Sequence, residues 1–374
     1  MQQILNTLYI TTPNAYAHLE NDTLRIDVER EKKFAVPLHH LGSVVCLGNI
    51  MVSPGLMHRL AEEGKSLVLL DGNGRFKARL EGPISGNVLL RQAQHHKSAD
   101  SATIIDFSRA FIAGKLKNSR QVLLRGARDS ANPDDQAKLT RAADNLSASL
   151  RALAGTQELD ALRGIEGEAA KGYFNALNLL VRADDRGEFQ MDGRTRRPPR
   201  DRMNALLSFL YSMLMNDCRS ALESVGLDPQ LGFLHAVRPG RAALALDLME
   251  EFRAYLADRL ALSLVNRGQV RAKDFALREG GAVQLEDDAR RAVVIAYQER
   301  KQEETTHPLL EQKMPLGLVP LLQARFIART LRGDMPAYVP FLNADRFDNF
   351  WGAKIMMRFT REQIHAAVES ARFS

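Results

Sequence analysis

Two periodicities divide this chain. Over the first 90 or so residues, apolar positions come in short runs that partly alternate with polar ones. Leu8-Tyr9-Ile10-Thr11, residues 15–19, 24–28 and 34–38, and Val44-Val45-Cys46-Leu47 are spaced as strands, with Asn21-Asp22 and residues 29–33 as turns. Residues 54–63 predict a short helix with Ser53 as its N-cap. Leu67-Val68-Leu69-Leu70, then Asp71-Gly72-Asn73-Gly74, then residues 75–80 predict a hairpin. From Leu89 onward the spacing lengthens to that of helices, over residues 104–126, 134–154, 157–181, 202–225, 241–266, 287–302 and 316–332. Residues 184–200, polar and carrying glycine and proline, read as a surface loop. Residues 275–285, around Gly280-Gly281, read as a small hairpin.

The pattern therefore predicts an α+β chain. A small N-terminal β domain (residues 1–90) precedes a larger all-α C-terminal domain (101–342), with 91–100 as linker or first helical turns. Residues 343–374 form a tail of unassigned role, in which 360–372 read as a short amphipathic helix. Exposed sheet edges pair readily with another chain, so the β domain is the expected dimerisation surface.

Composition narrows the partners. Of 374 residues, 45% are hydrophobic and 26% charged, as in a globular protein. The formal charge of +6 points weakly toward a polyanion. Its distribution says more: Arg194, Arg196, Arg197, Arg200 and Arg202 crowd one short segment, opposed only by Asp201. Lys115, Lys117, Arg120, Arg125 and Arg128 fall on one predicted helix, and Arg238 and Arg241 flank a turn. The candidates for phosphate contacts are Lys117, Arg120, Arg125, Arg163, Arg197, Arg200, Arg238 and Arg241. Cys46 and Cys218 are far apart in apolar surroundings and read as free buried thiols. There is no zinc spacing of Cys and His and no P-loop, which argues against a structural zinc and ATP-driven work. No signal peptide and no span long enough for a bilayer is visible, so the expected setting is cytoplasmic with no membrane.

Candidate chemistry lies in three segments. Leu162-Arg163-Gly164-Ile165-Glu166-Gly167-Glu168 puts an acid between two glycines inside a good helix. Gly232-Phe233-Leu234-His235 puts an imidazole after an apolar run. Asp247-Leu248-Met249-Glu250-Glu251-Phe252-Arg253 puts acids in a helical core pattern. Carboxylates are costly to bury unless paired or bound to a cation. Asp247 and Glu250, three apart, share a helix face, and Glu251, four from Asp247, is a further option. Two glycines beside Glu166 suggest close packing or the close approach of something bulky. Acids with one imidazole suit Mg²⁺ or Mn²⁺, and a basic chain with such a site suggests phosphodiester chemistry.

These segments carry a resemblance. In order and spacing, over roughly residues 1–342, the chain resembles the CRISPR-associated integrase of spacer acquisition, the larger of the two universal adaptation proteins. The landmarks are Lys117-Asn118-Ser119-Arg120-Gln121-Val122-Leu123-Leu124-Arg125, the run 162–168, Asp201-Arg202-Met203-Asn204-Ala205-Leu206-Leu207, Gly226-Leu227-Asp228-Pro229, Gly232-Phe233-Leu234-His235 and the run 245–253. Residues 297–308 look like the subtype I-C branch. The resemblance implies metal ligands, catalytic as well, at Glu166, His235 and Glu250, with Asp247 a neighbouring acid of open role. It implies a homodimer, and a heterohexamer with a small ferredoxin-like partner. It also implies joining of 3′-hydroxyl ends of short double-stranded DNA to the CRISPR repeat by transesterification, and cutting of branched or linear DNA. Apart from the resemblance, the residues leave open a non-enzymatic nucleic-acid-binding scaffold or an RNA-processing nuclease.

Overall fold

The computed structural model describes residues 7–72, 76–80, 82 and 88–342. The predicted tail 343–374, with its helix at 360–372, and the hairpin tip 73–75 lie outside the described residues.

The N-terminal part holds two four-stranded sheets. One runs β1(Thr7–Ile10), β5(Ser43–Leu47), β7(Ser66–Leu70), β8(Phe76–Leu80). The other runs β4(Glu31–Pro37), β3(Thr23–Val28), β2(Tyr16–Glu20), β6(Met51–Val52). Glu29 and Arg30, both at positive φ, make the tight turn into β4, so that strand starts earlier than residue 34. Helix α1(Pro54–Glu62) begins where expected: the Ser53 side chain accepts a hydrogen bond from Leu56 N. Leu67 pairs with Leu80 across the antiparallel β7–β8 ladder.

The first sheet explains its own sequence. β1, β5 and β7 are parallel, and parallel strands are usually covered on both faces. Val44, Cys46 and Leu67 point into a small core with Leu24, Ile26, Leu56 and Leu60. Val45, Leu47, Val68 and Leu70 point the other way, into the core of the helical part. That is why Val44-Val45-Cys46-Leu47 and Leu67-Val68-Leu69-Leu70 are apolar throughout rather than alternating.

The helical part consists of α2(Val88–Ser98), α3(Ser101–Asp129), α4(Pro133–Gly155), α5(Leu159–Leu177), α6(Ala183–Arg186), α7(Arg202–Ser224), α8(Ala243–Met249), α9(Arg259–Asn266), α10(Asp287–Gln302) and α11(Val319–Arg332). It is not purely helical. The hairpin β9(Phe275–Arg278)–β10(Ala282–Leu285) falls where Gly280-Gly281 predicted it, and a second hairpin, β11(Glu304–His307)–β12(Gln312–Pro315), was not foreseen. Residues 91–98 belong to α2 rather than to a linker. The single helix predicted over 241–266 is broken: α8 stops at Met249, and a stretch of π-helix, Arg253–Asp258, leads into α9. Segment 184–200 is only partly a surface loop, since Phe189 and Met191 are buried in the core. Helix α3 runs through the middle of this part and is buried on every side from Phe107 to Ser119 except at Arg109. A helix covered all round is normally apolar, which makes its buried Lys115, Lys117 and Asn118 conspicuous. Both cysteines are free and buried. Among the described residues, no helix is long and apolar enough to cross a membrane.

Candidate active site

The site starts from a glycine. Residues 226–242 link α7 to α8 without helix or strand, and Gly232 lies hard against α8. A Cβ there would stand 2.7 Å from both the Ala243 carbonyl carbon and Asp247 Oδ2. Only glycine lets the loop close this far. Asp247 then caps it: Oδ2 accepts the amides of Phe233 (2.6 Å) and Leu234 (3.0 Å), and Oδ1 accepts the amide of His235 (2.9 Å). His235 Nδ1 also lies 2.6 Å from Asp247 Oδ1. An ionised carboxylate is acceptor-only, so Nδ1 carries a proton and donates it to Asp247. Asp247 thus orients the imidazole rather than facing the cluster itself, as an outer carboxylate does for a metal-binding histidine.

Helix α5 is tied to the same loop. Arg163 Nε and Nη2 donate to the Leu234 carbonyl at 3.0 and 2.7 Å. Arg163, a candidate for DNA contact, is engaged here in holding the segment that carries His235. One turn further along α5, Glu166 reaches the centre. Cβ atoms at Gly164 and Gly167 would meet nothing within 4 Å. The two glycines therefore serve no close helix packing and leave open space beside Glu166.

Glu250 gets its direction from the break after α8. The Glu250 and Phe252 amides bond to carbonyls three residues back, Asp247 O and Met249 O, and the π-helix follows. Such irregular turns gather at functional sites. Glu250 Oε2 lies 2.9 Å from Lys115 Nζ, its Oε1 lies 3.0 Å from Arg253 Nε, and Oε1 is 3.8 Å from His235 Nε2. Lys115 Nζ also pairs with Glu166 Oε1. Glu166, His235 and Glu250 are therefore brought into one cluster, with Lys115 bridging the two carboxylates. Burial alone would raise the Glu250 carboxyl, but Arg253, Lys115 and His235 outweigh it and hold the group down to about 2.

Glu251 does not join Asp247, against the expectation from its spacing. The broken turn sends it to the opposite side, where it accepts Tyr338 Oη, Gln323 Nε2 (3.0 Å) and the Phe341 amide (2.7 Å).

The donor set suits a divalent cation. Glu166 and Glu250, from separate segments, already converge on one positive charge, and Glu250 Oε2 is buried without a well-aligned hydrogen bond. With the ammonium between them, no three acidic, imidazole or thiol groups among the described residues stand at metal-binding spacing. Glu166, Glu250 and His235 carry the oxygen and nitrogen donors that such an ion takes.

Arginines gather on the Asp247 side of the cluster. The Arg241 guanidinium is held below its usual range, first by partial burial and then by Arg238, Arg196 and Arg163. Those arginines come from three different segments, so the three converge in space. Arg196, Arg197, Arg200 and Arg238 are exposed. Arg196 was not among the candidates, because nothing in the local sequence separates it from its neighbours. Arg125 is exposed beside Asp129, and Arg120 is half-buried. Lys117 is buried in α3, out of reach of a duplex. Arg194 lies over the Tyr211 ring at 5.2 Å, with Arg253 over the same ring at 4.6 Å.

Comparison with solved structures places the architecture. The chain superposes on the Cas6-RT-Cas1–Cas2 complex with a TM-score of 0.79 at 22% identity, covering 92% of this chain and 37% of that one. It superposes on a casposase bound to integration product with a TM-score of 0.77 at 21% identity, covering 94% and 98%. By fold, then, this chain shares with those structures a β domain followed by a mostly helical body. The sequence pattern of "CRISPR associated protein Cas1" matches residues 8–299. A CRISPR-associated endonuclease Cas1 of Moorella thermoacetica is 54% identical over 342 residues, 91% of this chain and 99% of that one. The chain belongs to the Cas1 family.

Proposed function

We propose that this chain is a metal-dependent DNA integrase and endonuclease of CRISPR adaptation. It joins the 3′-hydroxyl ends of short duplexes to the CRISPR repeat by transesterification. The endonuclease part of this reading rests on the family and on relatives named as CRISPR-associated endonucleases. The observation that carries the mechanism is the convergence of Glu166 and Glu250 on one cation beside His235.

In this reading Glu166, His235 Nε2 and Glu250 hold Mg²⁺ or Mn²⁺. The bound ion supplies charge for the phosphoryl oxygens and lowers the pKa of the attacking hydroxyl. The chain's own residues do the rest. Asp247 fixes the imidazole so that its Nε2 faces Glu250. Arg163 ties α5 to the His235 loop. Arg196, Arg197, Arg200, Arg238 and Arg241 grip the DNA backbone, which sets register without reading bases. One phosphodiester bond replaces another, so no ATP is needed. The chain acts as a homodimer, supported by Tyr16 and Met51, paired across β2 and β6 and both exposed. It works with a small ferredoxin-like partner in a heterohexamer, and the subtype I-C branch fits residues 297–308.

The test is strand transfer of a labelled duplex into a repeat-bearing plasmid, with and without Mn²⁺. Glu166→Ala and His235→Ala abolish transfer while duplex binding persists; transfer at the parental rate in either removes the assignment. Activity untouched by EDTA turns the reading toward a scaffold, and preferred cutting of hairpin RNA turns it toward RNA processing. Sedimentation of the same preparations reports the mass, and a monomer at micromolar concentration removes the dimer.

A further inference from the structure

Lys115 occupies the point on which the proposed metal ligands converge. It sits in the interior of α3 at 8% exposure, far from the bulk water a lysine normally keeps. Its ammonium contacts Glu166 on one side and Glu250 Oε2, at 2.9 Å, on the other. The second cation, Arg253, is fixed by contrast: its Nε lies 3.0 Å from Glu250 Oε1 and its guanidinium is packed over Tyr211.

A divalent ion bridging Glu166 and Glu250 needs the place that the ammonium fills. Two like charges at contact distance in a buried setting repel strongly. The two cations are therefore alternatives. We propose that Lys115 is a built-in counter-ion that the divalent metal displaces, so that this side chain sets how tightly the metal binds. The inference rests on the metal-ligand reading above and adds a competitor to it.

Chain chemistry supports the exchange. Without any cation, Glu166 and the buried Glu250 would repel each other and pay a large desolvation cost, so Lys115 keeps the metal-free cluster folded. Lysine suits a removable charge: a point cation on a flexible stem leaves more readily than a forked, stacked guanidinium. There is also a way out. The Glu166 side chain is 26% exposed against 5% for Glu250, and the space over Gly164 and Gly167 is open. Metal affinity is then reduced by the fraction of molecules in which the ammonium still fills the site.

The experiment is Mn²⁺ binding to the full chain, followed by calorimetry and by the free-ion electron paramagnetic resonance signal. Lys115→Met binds Mn²⁺ roughly tenfold or more tightly than the parent, and gains a larger Mn²⁺-dependent rise in melting temperature from a lower metal-free value. Glu166→Gln loses Mn²⁺ binding. If Glu166→Gln loses the ion while Lys115→Met binds it no better than the parent, the competitor role is overturned and the metal site stands. If neither parent nor Lys115→Met takes up Mn²⁺, the site and the competitor fall together. A measurement on the unaltered chain covers the case in which Lys115→Met does not fold. Reductive methylation read by mass spectrometry shows Lys115 protected without metal and labelled with saturating Mn²⁺; equal protection in both overturns the proposal.

Discussion

Glu250 and Glu251 are consecutive, both buried, and serve opposite sides of one turn. Glu250 faces charges: Lys115, Arg253 and the His235 imidazole, which together hold it down to about 2. Glu251 faces neutral donors, Tyr338, Gln323 and the Phe341 amide. Burial dominates there, and despite those hydrogen bonds its carboxyl is pushed up to about 8. Burial is common to both, so it does not tell a reactive acid from a structural one. What separates them is whether the partners are cations that another cation can replace, or dipoles that fasten chain to chain. On the Glu251 side the ties are all of the second kind. Asn118 Nδ2 donates to both the Glu251 carbonyl (2.7 Å) and the Phe341 carbonyl (2.9 Å), so α3, the broken turn and residues 338–342 are stitched together.

The sharpest way to break this contrast is to remove each acid in turn. Glu250→Ala leaves buried Arg253 without its carboxylate and Lys115 with Glu166 alone, and costs about 3–5 kcal/mol, together with loss of strand transfer. Glu251→Ala strands the Tyr338 hydroxyl and the Phe341 amide and costs about 1–3 kcal/mol, while strand transfer survives. Urea unfolding beside the integration assay reads both. Equal effects on activity would erase the distinction.

The Glu251 side also makes a pH prediction through His307. Its Nδ1 accepts the Leu309 and Leu310 amides, and its Nε2 donates to Gln323. Burial lowers its pKa from 6.5 to about 4, with only the Gln323 bond opposing. The unfolded chain therefore binds the extra proton first as pH falls. The stability due to neutral His307 is complete above 6.5 and drains away between 6.5 and about 4, amounting to about 3 kcal/mol. In His307→Gln that part of the slope disappears from the unfolding free energy. A slope identical to the parent's across pH 4–6.5 rejects it.

The smallest expected effect sharpens the Glu250 side. Asp247→Asn keeps the shape of the cap but loses the acceptor that fixes His235, and such outer partners are worth about 10–100-fold in metal affinity or activity. Mn²⁺ binding measures it, and unchanged affinity means that Asp247 only closes the loop.

Much of this was legible in the chain. The turn chemistry around Ser53 and Gly280-Gly281, and the long helical periodicities, act locally, so local residues reveal them. The three segments bearing Glu166, His235 and Glu250 stood out because acids and imidazole are out of place in apolar runs. The break after Met249 was not visible. Residues 241–266 satisfy helical spacing throughout, and the break is held by distant partners of Glu251 and by the Gly232 loop. In the sequence Lys115 groups with Lys117, Arg120, Arg125 and Arg128 on one predicted helix. In the fold Lys115 points between two carboxylates and Lys117 is buried, because α3 is covered all round and spacing on one helix carries no information about neighbouring helices. The hairpin β11–β12 escaped because its strands are short and largely polar.

The sheet with apolar side chains on both faces has a practical consequence for anyone dissecting this molecule. Val45, Leu47, Val68 and Leu70 are a wall of the helical half as much as part of the amino-terminal half. Neither half can be expressed, swapped or redesigned as an independent module without supplying a substitute wall. A sequence change in those strands travels as altered packing toward the helices.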